Sequence, residues 1–97
     1  MARKLIIMKR AENAMYNVAS LRAEQYRPET GIKYINDVID FCFRYAALDM
    51  HFPLCKNKTL NKHGYSCLVY QRKWVIAFKF TSGEFKIYRF IWGANLK

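Results

Sequence analysis

The chain has 97 residues, 53% of them hydrophobic and 25% charged, a length and composition that support one domain with one core and exclude a disordered tail. Its formal net charge of +10 is unevenly spread: residues 1–50 hold eight Lys/Arg against six Asp/Glu, and residues 51–97 hold nine against one. The second half therefore carries a positive field suited to nucleic acid, an acidic protein or another anionic surface.

Lys4–Met8 is a short apolar run with basic flanks and reads as a first strand. It is too short for a secretory leader, and no apolar run reaches the ~20 residues that span a bilayer, so no membrane partner and a cytoplasmic location are expected. Ala11, Ala14, Met15, Val18 and Leu21 then recur on one face of a helix, with Glu12 at its positive end. Tyr26-Arg27-Pro28 breaks the period. A second helix is predicted from about Glu29 to Asp49, with Ile32, Ile35, Ile39, Cys42 and Ala46 as its stripe and Val38 and Phe43 widening it. Two such helices joined by a few residues make an antiparallel hairpin.

His51 to Gly64 reads as a polar loop, long enough for a functional or mobile role. Three strands follow: Ser66–Tyr70, Trp74–Thr81 after the turn Gln71-Arg72-Lys73, and Glu84–Trp92 after the two-residue turn Ser82-Gly83. Alternation puts Trp74, Ile76, Phe78 and Phe80 on one face of the middle strand. In the last strand Phe85, Ile87, Arg89 and Ile91 oppose Lys86, Tyr88, Phe90 and Trp92. Both sets are half apolar, which leaves the inner face of that strand open. The expected architecture is one α+β domain over residues 1–97, of order β-α-α-β-β-β, with the helix hairpin packed on one face of a small antiparallel sheet.

Cys42, Cys55 and Cys67 are odd in number and lack metal or redox spacing, so they read as three reduced packing cysteines. His51 and His63 lie in one loop without a ligand motif. No cofactor or metal site is expected.

The chain resembles the ParE/RelE superfamily of toxins from type II toxin–antitoxin modules, sometimes called plasmid stabilisation proteins. The resemblance rests on the N-terminal strand, the helix hairpin with Ala14, Val18 and Leu21, the loop Phe52-Pro53-Leu54 and the three closing strands. It is strongest over Phe85–Asn95, where Arg89, Gly93 and Ala94 match the ParE-like closing strand. Trp92 stands there in place of the usual His, and Asn95 in place of the usual Arg. The strand Trp74–Lys79 resembles the family's aromatic-apolar strand.

The resemblance implies a cognate antitoxin as partner and one of two activities. ParE-like members inhibit DNA gyrase by binding, and RelE-like members cleave messenger RNA on the ribosome. An RNase needs a base, a proton donor and cations for the charged phosphate intermediate. Arg72, Lys79, Lys86 and Arg89 supply cations, whereas the tail after Gly93 has neither Tyr nor His, and Val75 stands where RelE-like enzymes usually carry Arg. His63 and Tyr65 supply protons only if their loop folds over the sheet. The ParE-like reading is therefore preferred, with catalysis left open. Arg72, Lys79, Lys86, Arg89 and Trp92 are the candidate target- or phosphate-binding residues. A third alternative is a basic nucleic-acid-binding module, or an inactive toxin relative, in which Tyr88 and Trp92 stack on bases.

Overall fold

A computed structural model describes residues 3–48 and 50–95. Met1, Ala2, the expected helix end at Asp49 and the tail residues Leu96 and Lys97 lie outside the described residues. The elements are β1 (Lys4–Ile7), α1 (Lys9–Gln25), α2 (Pro28–Ala46), α3 (Lys58–Lys62), β2 (Ser66–Tyr70), β3 (Trp74–Phe80) and β4 (Glu84–Trp92), followed by a single 3-10 turn at Gly93–Asn95.

Two residues, Tyr26 and Arg27, join α1 to α2, and Pro28 opens α2 where its missing N–H is not needed. The inner row of α1 is Ala11, Met15 and Ala19, and that of α2 is Gly31, Tyr34, Val38, Cys42 and Ala46. Small residues at Ala19 and Gly31 let the helices approach closely. The expected stripes are rotated from these rows: Leu21, Ile32 and Phe43 are 58%, 65% and 56% exposed. Each lies about 80–120° round its helix from the centre of the buried row, on the flank of a wide apolar arc.

The sheet order is β1-β4-β3-β2. The β2–β3 and β3–β4 pairs are antiparallel, as their short connections require, but β1 pairs parallel with β4. The expected all-antiparallel sheet is thus corrected to a mixed one. A tight turn dictates an antiparallel neighbour, whereas β1 reaches its partner only after the helix hairpin and the rest of the sheet intervene.

The ladder between β3 and β4 pairs Phe78 with Ile87 and Ala77 with Arg89, so Tyr88 is an extra residue in β4. This bulge explains why alternation left the inner face of β4 open: Phe85, Ile87 and Phe90 are all buried, on both sides of the skipped position. They join one core with the helices, β2 and Phe52. Phe78 and Phe85 stack at 4.3 Å, Trp74 and Phe90 at 4.7 Å, and Phe52 sets its edge against Phe78 at 5.1 Å.

Arg3 ties the sheet end to the chain leaving α2. Its backbone N–H donates to Ala46 O at 3.0 Å, and its guanidinium donates to the carbonyls of Thr81 (2.7 Å), Leu48 (2.9 Å) and Met50 (2.9 Å). The α2 helix therefore stops at Ala46, short of the expected Asp49. At the same end of the sheet, Thr81 follows β3 and belongs to the turn, where its Oγ1 accepts from the N–H groups of Gly83 and Glu84.

The segment expected to be a plain loop contains α3. Asn57 caps this helix by accepting from Leu60 N, and Leu60 is the apolar residue that it buries. With Cys55 and Ala77 it forms a satellite cluster on the sheet face opposite α1 and α2, bordered by Tyr65, Cys67, Val75 and Ile91. The fold is thus a small α+β domain, with the helix hairpin on one face of an open mixed sheet and α3 over part of the other.

The expectation of three reduced cysteines is also corrected. Cys55 and Cys67 are joined by a disulfide, and Cys42 is free and buried. The path of α3 brings these positions to a Cα–Cα distance of 5.1 Å, a proximity that spacing in sequence does not reveal. Among the described residues no helix is long and apolar enough to cross a membrane.

Candidate functional site

The strand registers decide which side chains share the face that carries α3. Cys67, Ala77 and Arg89 lie in one row across β2, β3 and β4, and Val69, Val75 and Ile91 in the next. Lys79 pairs with Lys86, and Lys86 with Ile6 of β1. Two lysines therefore occupy directly paired positions on neighbouring strands, where like charges destabilise a sheet by a few tenths of a kcal/mol up to about 1 kcal/mol. Glu84 relieves it partly by meeting Lys86 at 3.6 Å.

The aromatic part of the face comes from two places. Tyr88 stands there because it is the bulged residue of β4. Tyr65 is placed by α3: its N–H donates to Leu60 O at 3.1 Å, and its carbonyl accepts from Cys55 N at 2.9 Å. The two rings are 5.5 Å apart, and Lys79 Nζ lies 5.3 Å from the Tyr65 centroid and 5.7 Å from that of Tyr88. The aromatic faces share the ammonium charge without neutralising it. His63 follows α3 and lies 6.0 Å from Tyr65, ring to ring.

Gly64 turns the chain above Lys79. Its φ of +79° suits a residue without a side chain, and a Cβ there would sit 3.9 Å from Lys79 Cε and Nζ. Lys79 thus runs beneath the turn between α3 and β2. A hollow of about 300 Å³, bounded by His51, Pro53, Gly64 and Lys79, opens beside it.

The candidate residues divide into two groups. Lys79, Lys86 and Arg89 share the face with Tyr65 and Tyr88. Arg72 lies in the β2–β3 turn, at the far end of β3 from Lys79 and about 20 Å away along the strand. Gln71 and Arg72 have φ of 53° and 61°, the left-handed pair of a tight hairpin turn. Trp92 pairs with Trp74 on the helix side of the sheet, where it is 50% exposed. The structure does not bring Arg72 or Trp92 to the basic face.

Tyr65, Tyr88 and His63 are the members that the candidate set lacks. The condition for His63 and Tyr65 to matter, that their loop folds over the sheet, is met through α3. Asn57 at a cap position, followed by Leu60 and then Gly64 before the strand, was the available signal. Chemically the face offers cations for an anionic ligand, two phenol rings for stacking or hydrogen bonding, and an imidazole at its margin. Comparison of the chain with protein-family models, curated proteins and solved structures gives no match.

Proposed function

We propose that the chain is a toxin of the ParE/RelE kind that acts by binding its target, DNA gyrase in the ParE-like reading, through the face formed by Lys79, Lys86, Arg89, Tyr65 and Tyr88. The observation that carries this reading is the Lys79–Lys86 pair, two lysines at paired strand positions, with Lys79 against the rings of Tyr65 and Tyr88. Such an arrangement costs stability in the free protein and is relieved by an anionic partner. The element order and the helix hairpin on one sheet face are consistent with the reading.

The proposal includes a small antitoxin. Tyr16, Ile32 and Ile35 surround a hollow of about 350 Å³ on the helix hairpin, and its amphipathic segment would cover them. Controlled expression tests the toxin reading: growth should arrest, co-expression with an adjacent small reading frame should relieve the arrest, and the purified protein should block supercoiling by gyrase. Unchanged supercoiling would remove the gyrase assignment.

A second reading, a RelE-like ribosome-dependent endoribonuclease, is favoured by the placement of His63 and Tyr65 over the sheet beside Lys79. There Lys79, Lys86 and Arg89 would hold phosphate, and His63 or Tyr65 would move the proton. Cleavage of ribosome-bound message that is lost in both Lys79→Ala and Tyr65→Phe supports it. Intact message throughout growth arrest eliminates it.

A further inference from the structure

The basic face depends on a short segment that packs outside the main core. α3 has five residues, far fewer than an isolated helix needs, and among the described residues Leu60 is the apolar side chain that it buries. Its further ties include the Asn57 cap, the Asn61 side chain donating to Cys55 O at 2.9 Å, the bridge between Leu54 and Ser66, and the Cys55–Cys67 bond. The Cys55 N–H also donates to Tyr65 O, so the disulfide sits at the point where the segment's path and the position of Tyr65 meet.

The geometry points to a thiol–disulfide exchange site: we propose that Cys55–Cys67 is a bond that a dithiol reductant opens in the folded protein, and that opening it releases α3 and with it the placement of His63 and Tyr65 on the basic face. Three observations carry this. Cys67 is only half-buried, and a hollow of about 380 Å³ bounded by Leu54, Lys56, Cys67 and Val75 leads to the bond. Lys56 and Lys58 are exposed nearby, and no acid occurs between residues 50 and 83, a setting that favours the thiolates formed on reduction. The bond also lies outside the main core, which contains Cys42 but neither half of the disulfide. Its loss thus spares the helix hairpin and β4.

One thiolate of the dithiol attacks the Sγ of Cys67, the less buried of the two cysteines, forming a mixed disulfide and releasing Cys55 as a thiolate. The second thiol of the reductant, on losing its proton, attacks its own sulfur in the mixed disulfide and releases Cys67. The protein gains two electrons and, once both thiolates are protonated, two protons. The reductant becomes a disulfide. In a reducing compartment, exchange of this kind makes a protein disulfide a redox-responsive element.

The proposal concerns the position of the face and is tested without reference to any target. The full-length protein is treated with dithiothreitol under native conditions, thiols are counted by alkylation and mass spectrometry, and amide exchange is followed residue by residue. Two new thiols should appear while Cys42 stays protected. Amides of 58–65 should exchange faster by on the order of a hundredfold, the effect expected of opening a loop of this size, while α1, α2 and β4 keep their protection. A Cys55→Ser/Cys67→Ser double variant should show the reduced pattern in either redox state. Resistance of the bond to native-state reduction would overturn the proposal. So would unchanged exchange at 58–65 after reduction, or loss of protection throughout the chain.

Discussion

Gly31 packs against the carbonyl oxygen of Ala19 so closely that a Cβ on Gly31 would lie 2.6 Å from that oxygen and 3.1 Å from Ala23 Cβ. The two helix backbones approach closely here. In an open helix, Gly→Ala stabilises by about 1 kcal/mol. Here the obstacle is backbone, which has no rotamer to change. Gly31→Ala should therefore lower stability by roughly 1–3 kcal/mol as the helices are forced apart. Urea denaturation measures it, and a gain in stability would show that the helices part freely.

Arg3 predicts a loss of stability through polar groups. It serves three carbonyls, and its guanidinium lies 4.9 Å from the Phe80 ring centroid. Arg3→Met keeps much of the apolar stem but leaves those carbonyls to find water. A cost of roughly 2–4 kcal/mol is expected. A melting temperature equal to that of the parent would show that the three bonds hold nothing together.

Lys79→Met should separate function from stability. It removes the like-charge pairing with Lys86, a gain of a few tenths of a kcal/mol, and the attraction to two tyrosine rings, a loss of about 0.5–1 kcal/mol. Net stability should stay within about 1 kcal/mol of the parent, while the growth arrest that the proposed toxin function entails should be lost. Full toxicity in a folded Lys79→Met protein would take this face out of the mechanism.

The core titrates only in alkali. Burial pushes the Tyr34 hydroxyl from 10.0 up to about 12, against the opposing charge of Arg22, and pushes the Cys42 thiol from 9.0 up to about 12. Burial also raises Tyr70. The folded state thus prefers the protonated forms. Their contribution is complete below pH 9, where the unfolded thiol begins to ionise, and is lost progressively as pH rises towards 12. Urea midpoints should fall across that window.

Tyr34→Phe sharpens the same point. Tyr34 Oη is buried without a hydrogen-bond partner among the described residues, and the Arg22 guanidinium lies 4.6 Å from the ring centroid. Removing an unpaired hydroxyl should leave neutral-pH stability unchanged or raise it by up to about 1 kcal/mol, and should flatten the alkaline decline. An alkaline limb identical to the parent's would assign the decline to Cys42 and Tyr70.

The readable and unreadable parts of the chain differ in the range of the interactions that decide them. The two helices, the strands Ser66–Tyr70 and Glu84–Trp92, and the turns between strands follow from local period and turn chemistry. The stripes of α1 and α2 are visible only to within a flank, because the close approach at Gly31 rotates the buried row away from Ile32 and Phe43. The parallel β1–β4 pair, the Cys55–Cys67 bond and the docking of α3 join distant or irregularly spaced positions, and no period marks them. Lys79, Lys86 and Arg89 were legible as cations of the closing strands, but strict alternation sets Lys86 and Arg89 on opposite faces, and the bulge at Tyr88 is what brings them to one. Tyr65 was not, because its place depends on Leu60 and Cys55. Arg72 and Trp92 share the composition of the face but not its location.

The skipped position in β4 has a consequence for how this chain can change. Phe85, Ile87 and Phe90 keep a common inward phase only if Tyr88 is passed over, so the hydrophobic message of the strand is complete without it. Tyr88 is an added letter, spelled on the outer surface alone. Exchanging or deleting it rewrites what the basic face offers while leaving the core text intact. At this point of the chain, specificity and foldability can be edited separately.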